Sequence, residues 1–533
     1  MLNKKLLSLF LSSILLFGLV ACSSNSSTDG ATSETQDTLV YGRGGDSISL
    51  DPATVTDGES YKVADNIYDT LVKFGDMDTK IHPSLASDWK VSDDGLTYTF
   101  TLREGIKFHD GTAFNADAVV YNFKRWMEPE EGQEGKFAMY RSMFGGFKGD
   151  EGHVIKEVKA LDESTVQFTL NRPQAPFLKN LTMTPFAIAS PEAIEKYGDK
   201  YNENPVGTGP FVFSEWQRND KIVLKKNEDY WMDGYPKLET VIFRSIPENS
   251  ARLNALKTGE IDMMDGVSPS DVAGIEETPD LKTFTRPSMN IGYLGLNVTR
   301  GPLKNKDVRK ALNHAVDKQA IIDAFYEGQA EPAKNPIPPS IQGYNDEIEA
   351  YPFDLEKAKS LLEKSGYPDG FDMELWAMPV SRPYMPNGQK VAEAIQSTFK
   401  EIGVNATIKS YEWATYVEKV IGGEADSFLL GWTVQNGDAD NLLYTLLDKT
   451  NIGSSNSARY ESEEFHKLLV EAKSTVDPEK RNELYNQALK VFHEDVPWIP
   501  LVHATPVVAG KKNIEGFNPH PNSSVLLAKV EFK

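Results

Sequence analysis

Only one cysteine occurs among the 533 residues, at position 22. Everything after it lacks the means for a disulfide, a Cys-ligated zinc, an iron–sulfur cluster or a thiol nucleophile. Basic residues are also scarce. Fifty-six Lys and Arg against 78 Asp and Glu leave a formal charge of −22, which repels phosphate backbones and provides no polybasic membrane patch, so nucleic acid is excluded as a partner. The eight histidines (His82, His109, His153, His314, His466, His493, His503 and His520) never fall at His-Glu-x-x-His or another paired spacing, so no metal site is expected. No Gly-x-Ser-x-Gly or Walker pattern occurs. Gly42-Arg43-Gly44-Gly45 follows a predicted strand but lacks the third glycine of a dinucleotide loop. No carboxylate pair is singled out by spacing. The expectation is a protein that is not an enzyme and carries no cofactor.

The length exceeds that of one domain core, so two or more lobes are expected. At the N-terminus, Lys4 and Lys5 precede an apolar stretch from Leu6 to Val20 with three serines inside it. This is short for a membrane span of about 20 residues and suits a secretory signal. It ends Leu19-Val20-Ala21-Cys22, the pattern of a bacterial lipoprotein signal. A thiol is required there to take a diacylglyceryl thioether before cleavage makes Cys22 the first residue. Residues 1–21 are therefore assigned as signal peptide. Their loss removes two lysines and no acid, leaving the remainder more acidic still. Residues 22–37, small and polar, cannot bury a core and are expected to form a flexible tether. No later stretch approaches about 18 unbroken apolar residues, so the body is not expected to span a membrane. The protein is placed outside the cytoplasm, held to the cell membrane by lipid.

In the body, Thr38–Tyr41, Leu96–Leu102, Thr165–Leu170, Met373–Trp376, 406–410 and 427–430 suit strands, the second alternating residue by residue. Helices are predicted over 59–73, over 116–126 behind an Asn115 cap, over 307–316 continuing to 320–325, and over 388–402 and 462–493. Strands alternate with helices from 290 to 500, the signature of an α/β lobe.

The segment richest in recognition chemistry lies between 376 and 441. It runs Trp376-Ala-Met-Pro-Val-Ser-Arg382-Pro-Tyr384-Met-Pro-Asn387, then Tyr411-Glu-Trp413, then Gly431-Trp432-Thr-Val-Gln435-Asn-Gly-Asp438-Ala-Asp440-Asn441. Arg382, in a proline-rich loop beside an aromatic, suits a bidentate grip on a carboxylate. Trp413 and Trp432 suit the walls of a pocket for an apolar side chain. Composition alone leaves open a structural arginine and core tryptophans.

Longer motifs narrow the choice. They are Leu96-Thr-Tyr-Thr-Phe-Thr-Leu-Arg-Glu-Gly-Ile-Lys-Phe-His-Asp-Gly-Thr-Ala-Phe-Asn-Ala-Asp-Ala-Val119, Asn204-Pro-Val-Gly-Thr-Gly-Pro-Phe211, Asn227-Glu-Asp-Tyr-Trp231, Arg309-Lys-Ala-Leu-Asn-His-Ala-Val-Asp317 and Pro336-Ile-Pro-Pro339. From about Thr38 to the C-terminus the chain resembles the dipeptide/oligopeptide-binding proteins of ABC importers, solute-binding family 5, with 376–441 closest to the dipeptide-binding branch. The resemblance implies a two-lobed α/β fold of the periplasmic-binding-protein type (large type II, class C). Residues 38–293 plus 508–533 would form lobe 1, with an extra subdomain about 84–205, and 294–507 would form lobe 2. The lobes would close on a small peptide or peptide-like solute and pass it to membrane permease subunits, the binding protein acting as a monomer. In that branch the arginine matching Arg382 grips the peptide carboxylate, aromatics matching Tyr384, Trp413 and Trp432 line the side-chain pocket, and a threonine matching Thr56 lies near the peptide backbone.

One position departs from that pattern. The acid that pairs with the peptide ammonium in the dipeptide-binding branch lies three residues after the tryptophan matching Trp432, and here that residue is Gln435. A neutral amide accepts a hydrogen bond but does not neutralise a buried ammonium. Either Asp438, Asp57 or Glu59 substitutes, or the ligand brings no free α-amine there, as in glutathione or another amino-acid-derived solute. Other solutes of relatives (haem, nickel chelates, sugars), an extracytoplasmic hydrolase, and an adhesion, sensing or chaperone lipoprotein are the remaining alternatives. Haem and nickel should leave an ordered His or Met constellation, which the sequence does not display.

Overall fold

Two open sheets organise the computed structural model, which describes residues 37–533; Cys22 and residues 22–36 lie outside the described residues. The first sheet has seven strands, in the order Leu281–Thr285, Val507–Lys511, Met263–Met264, Thr38–Arg43, Thr240–Ser245, Lys221–Lys226 and Phe211–Gln217. The second has six, in the order Ala330–Pro332, Trp498–Ala504, Asn290–Leu296, Ser427–Thr433, Phe371–Trp376 and Val404–Lys409. The chain crosses between them twice, at 286–289 and at 505–506.

A third sheet of four antiparallel strands is inserted between 86 and 170. The alternation of Thr97–Leu102 does what period two requires: Tyr98, Phe100 and Leu102 are buried while Thr101 is exposed. Phe100 meets Phe168 edge-on at 5.5 Å between ring centroids, and Phe123 of the covering helix Ala116–Met127 meets Phe168 at 4.7 Å. That helix starts where Asn115 Oδ1 accepts from Ala118 N at 3.0 Å.

Three predicted helices end earlier or divide. The run 59–73 is helical only over Gly58–Ala64, and its end becomes the strand Val72–Phe74. Between them, half-buried Asp69 accepts hydrogen bonds from Thr208 Oγ1 (3.0 Å), Tyr230 Oη (3.3 Å) and Trp231 Nε1 (2.9 Å). The motifs 204–211 and 227–231 thus converge on one carboxylate, and tertiary hydrogen bonds override helical periodicity. The segment 307–325 divides into Lys306–His314 and Lys318–Phe325, because Asp317 caps the second helix through Ala320 N at 2.9 Å. The segment 462–493 divides into Glu463–Ser474 and Pro478–Asp495, with Asp477 as cap and Pro478 opening the second helix.

Lys318 is buried, and its ammonium donates to Ala333 O at 2.9 Å. Burial pushes its pKa down from 10.5 to about 7. The folded state therefore holds fewer protons than the unfolded chain between about pH 7 and 10.5, and stability rises with pH across that window. Lys318→Met should abolish this slope. The difference between variant and wild-type unfolding free energy should shrink by about 2 kcal/mol from pH 7 to pH 9, measured by denaturant titration.

Candidate functional site

Phe371–Trp376, Val404–Lys409 and Ser427–Thr433 run parallel, so their carboxyl ends share one edge of the second sheet. In the first sheet, Thr38–Arg43, Thr240–Ser245 and Met263–Met264 are parallel. Leu281–Thr285 runs the same way, since it and Met263–Met264 are both antiparallel to Val507–Lys511. Ligands of open α/β sheets bind beyond the carboxyl ends of the strands. The crossover 286–289 leaves the first sheet at its carboxyl edge and enters the second beside Thr433, the register partner of Asn290. The two carboxyl edges therefore meet at this crossover.

The loops of the second edge carry the aromatic and cationic residues named above. Arg382 and Met385 exchange backbone hydrogen bonds (3.1 and 2.9 Å), pinching the loop shut. The Arg382 side chain is exposed, donates to Ser381 O at 3.0 Å, and lies 5.9 Å from the Trp413 ring centroid. Among the described residues it has no carboxylate partner. Tyr384 is held from behind by Tyr326 Oη, which donates to its carbonyl at 2.8 Å. Its ring lies where a side chain on Gly431 would stand, and its carbonyl where one on Gly292 would stand. Glycine is required at both positions for Tyr384 to lie flat on the sheet. Burial pushes the Tyr384 hydroxyl pKa up, and Arg382 opposes that rise.

Trp413 opens the helix Trp413–Ile421 and stacks on Tyr416 at 6.1 Å. Trp432 Nε1 donates to Asn441 Oδ1 at 3.0 Å, and the same oxygen receives Gln435 N at 3.4 Å. The Gln435 amide side chain has no hydrogen-bond partner among the described residues.

Asp438 has another task. It is buried, and Arg481 grips it through two 2.7 Å hydrogen bonds, Nη1 to Oδ2 and Nη2 to Oδ1. Asp440 N donates to Oδ1 at 3.0 Å, and Lys179 approaches Oδ2 at 3.4 Å. Burial opposes its charge, but Arg481 and then Lys179 overcome that and hold the carboxyl well below the usual range. An additional ammonium would find its oxygens occupied. The same loop is tied to residues preceding the first crossover, with Lys179 Nζ on Gly437 O (2.8 Å) and Asn436 Nδ2 on Asn180 Oδ1 (2.8 Å). The sequence reading missed Lys179, Asn180 and Arg481. No local spacing marks them.

At the first edge, Thr56 is exposed. Asp57 caps Gly58–Ala64 by accepting from Ser60 N at 2.8 Å, and its Oδ2 is buried without a hydrogen-bond partner among the described residues. Glu59 pairs with Lys62 through Oε1 at 2.7 Å, while Oε2 is buried without a hydrogen-bond partner among the described residues. Lys62 also pairs with Asp265. Among the described residues, no group of three His, Cys, Asp or Glu is placed to hold a metal ion, and no helix is long and apolar enough to cross a membrane.

Comparison with known proteins agrees with this architecture. Residues 80–454 match the family model described as bacterial extracellular solute-binding proteins, family 5 Middle. The chain is 39% identical to the dipeptide-binding protein of Escherichia coli, covering 91% of this chain and 92% of that one. It is 37% identical to heme-binding protein A of Haemophilus influenzae over 94% and 95% of the two. The structure of the ABC transporter-associated periplasmic binding protein DppA from Helicobacter pylori in complex with peptide STSA superposes with a TM-score of 0.79 at 37% identity, covering 93% of this chain and 98% of that chain.

Proposed function

Because this chain belongs to the family 5 extracellular solute-binding proteins of bacteria, we propose that it captures a di- or oligopeptide, or a peptide-like solute such as glutathione, between its two lobes for uptake by an ABC importer. The observation that carries this reading is Arg382: an exposed guanidinium without a carboxylate partner among the described residues, beside Trp413 and Tyr384, at the carboxyl edge of three parallel strands. It serves as the grip on the ligand's terminal carboxylate. Tyr384, Trp413 and Trp432 wall the side-chain pocket, Gln435 faces the opposite end of the ligand, and Thr56 stands near its backbone. Residues 38–293 with 508–533 form one lobe, including the extra subdomain at about 84–205, and 294–507 form the other. The protein works as a monomer, delivers to permease subunits in the membrane and is anchored by a lipid on Cys22. Labelling cells with a palmitate analogue should mark the wild type, and Cys22→Ala should lose both the label and the membrane fraction. A Cys22→Ala protein that is processed and fractionates as wild type, with no label on either, would remove the anchor from the proposal.

Mass spectrometry of whatever copurifies, released by denaturation, identifies the solute class directly. Titration of wild type and Gln435→Asp with a plain dipeptide, glutathione and an N-acetylated dipeptide then tests the ligand's orientation. An aspartate beside a free ammonium adds a charge-assisted hydrogen bond worth about 1.5–3 kcal/mol. The plain dipeptide should therefore tighten about ten- to a hundredfold, and a ligand that brings a carboxylate to that end should weaken. Failure of wild type to bind any of the three would overturn the peptide reading.

A further inference from the structure

Hydrogen bonds pass directly between the two proposed lobes outside the crossovers. Lys179 Nζ donates to Gly437 O at 2.8 Å and approaches Asp438 Oδ2 at 3.4 Å, and Asn436 Nδ2 donates to Asn180 Oδ1 at 2.8 Å. Ala175 N donates to Lys473 O at 2.8 Å. The packing is equally close. A side chain on Gly95 would stand 2.8 Å from Val476 Cγ2, and one on Gly437 would stand 2.5 Å from Thr79 Cγ2.

On the first-lobe side, most of these residues share one end of the inserted four-stranded sheet. Thr97–Leu102 pairs antiparallel with both Ala86–Val91 and Thr165–Leu170, so Val91 lies opposite Tyr98 and Thr169 opposite Thr97. The 92–96 turn and the segment leaving Leu170 therefore emerge together, and Leu170 N donates to Leu96 O at 2.8 Å. Gly95 lies in that turn, and the short helix Phe177–Asn180 lies in that segment.

Arg481 assembles the opposing face. Its two terminal nitrogens hold Asp438, while its Nε donates to Ala472 O at 3.0 Å, near the end of the helix Glu463–Ser474. One buried guanidinium thus joins the loop carrying Asn436, Gly437 and Asp438 to the connection carrying Lys473 and Val476.

The crossovers form a narrow joint. Both are pinned to the second sheet: Asn290 Nδ2 donates to Ala504 O at 2.9 Å, Ala504 N donates to Asn290 Oδ1 at 3.0 Å, and Thr505 N donates to Gln329 O at 2.8 Å. On the first sheet, Thr285 pairs with Val507. Arg286, Pro287 and Pro506 lie between. Prolines cannot donate to a backbone ladder, so this is where one lobe can turn on the other.

We propose that the inserted subdomain is the closing arm of the protein: its 92–96 turn and the 175–180 segment clasp the face that Arg481 assembles, and this clasp sets how much of the unliganded protein is shut. The inference rests on the two-lobed capture reading above and gives the subdomain at about 84–205 a task separate from solute contact. A ligand that binds only the shut form has its affinity reduced by the fraction of protein that is open, whatever the ligand's chemistry. Lys179 is the residue to probe, because Asp438 keeps Arg481 when the Lys179 ammonium is removed.

Small-angle scattering and calorimetry test this, with alanylalanine and glutathione as probes. Without a probe, Lys179→Met should have a larger radius of gyration than wild type, and at saturating probe the two radii should coincide. Both probes should weaken by the same factor, about tenfold, the scale of one hydrogen bond to a charged group, and Lys179→Arg should restore part of the loss. Val476→Glu, at an exposed position beside the turn of Asp93 and Asp94, adds a like charge and should also enlarge the unliganded radius. Should Lys179→Met prove unfolded, Val476→Glu decides on the same readout. An unliganded radius equal to that of wild type would make these contacts a fixed joint and overturn the inference. A loss confined to one probe would make Lys179 a ligand contact and overturn it as well. A folded wild type that binds neither probe overturns the peptide reading instead, and the unliganded radii still decide the clasp.

Discussion

Arg481→Ala should destabilise the fold by about 3–5 kcal/mol, the cost of leaving a buried charge without its partner. The carboxylate left behind is Asp438, which sits buried with both oxygens in Arg481's fork and with Tyr485 Oη donating to Oδ1 at 3.3 Å. Lys179 compensates only in part, from 3.4 Å. Asp438→Asn should cost a similar amount by stranding the guanidinium, and the double variant Asp438→Asn/Arg481→Met should recover much of the loss, because neither charge is then buried alone. The pair also sets a pH dependence. The Asp438 pKa is lower in the folded protein than in the unfolded chain, so its stabilisation is present above the ordinary carboxylate range and is lost as pH falls through the lowered folded value. Denaturant midpoints at neutral and acidic pH measure both effects. Single variants within about 0.5 kcal/mol of wild type at neutral pH would show that this network is dispensable.

The second large effect is on ligand affinity. Arg382→Ala should weaken the copurifying solute by about 2–5 kcal/mol if the guanidinium is enclosed with a carboxylate when the lobes close. Arg382→Lys should restore only part, since an ammonium cannot reproduce the planar fork or its stacking beside Trp413. Folding should be little affected, because this exposed side chain holds only local partners, donating to Ser381 O and hydrogen-bonding Tyr384. Calorimetry on the three proteins decides it, and equal affinities would return Arg382 to a structural role. Small-angle scattering with and without ligand checks closure independently: the radius of gyration should fall on binding.

Much of the fold was legible along the chain. The alternation in Thr97–Leu102, the Asn115 cap and the strands at 371–376, 404–409 and 427–433 follow from neighbours a few residues apart, which a linear reading sees directly. The helix breaks at Asp317 and at Asp477-Pro478 were written in cap and proline signals too, but apolar periodicity across them masked both. The end of the 59–73 segment was not legible, because Asp69 answers to Thr208, Tyr230 and Trp231.

The candidate site divides in the same way. Residue chemistry and motif order pointed to Arg382, Tyr384, Trp413, Trp432 and Gln435, and one lone cysteine behind an apolar leader pointed to an anchor. Those signals are compositional and local. Which acids are free was a different matter. Asp438, Asp57 and Glu59 looked equivalent in a chain with 78 acidic residues. Only packing brought Arg481, 43 residues away, onto Asp438, while leaving one oxygen each of Asp57 and Glu59 without a hydrogen-bond partner among the described residues. Charge pairing acts through a few ångströms of space regardless of separation along the chain, so partner choice, and with it the chemistry left over for a ligand, belongs to the tertiary structure.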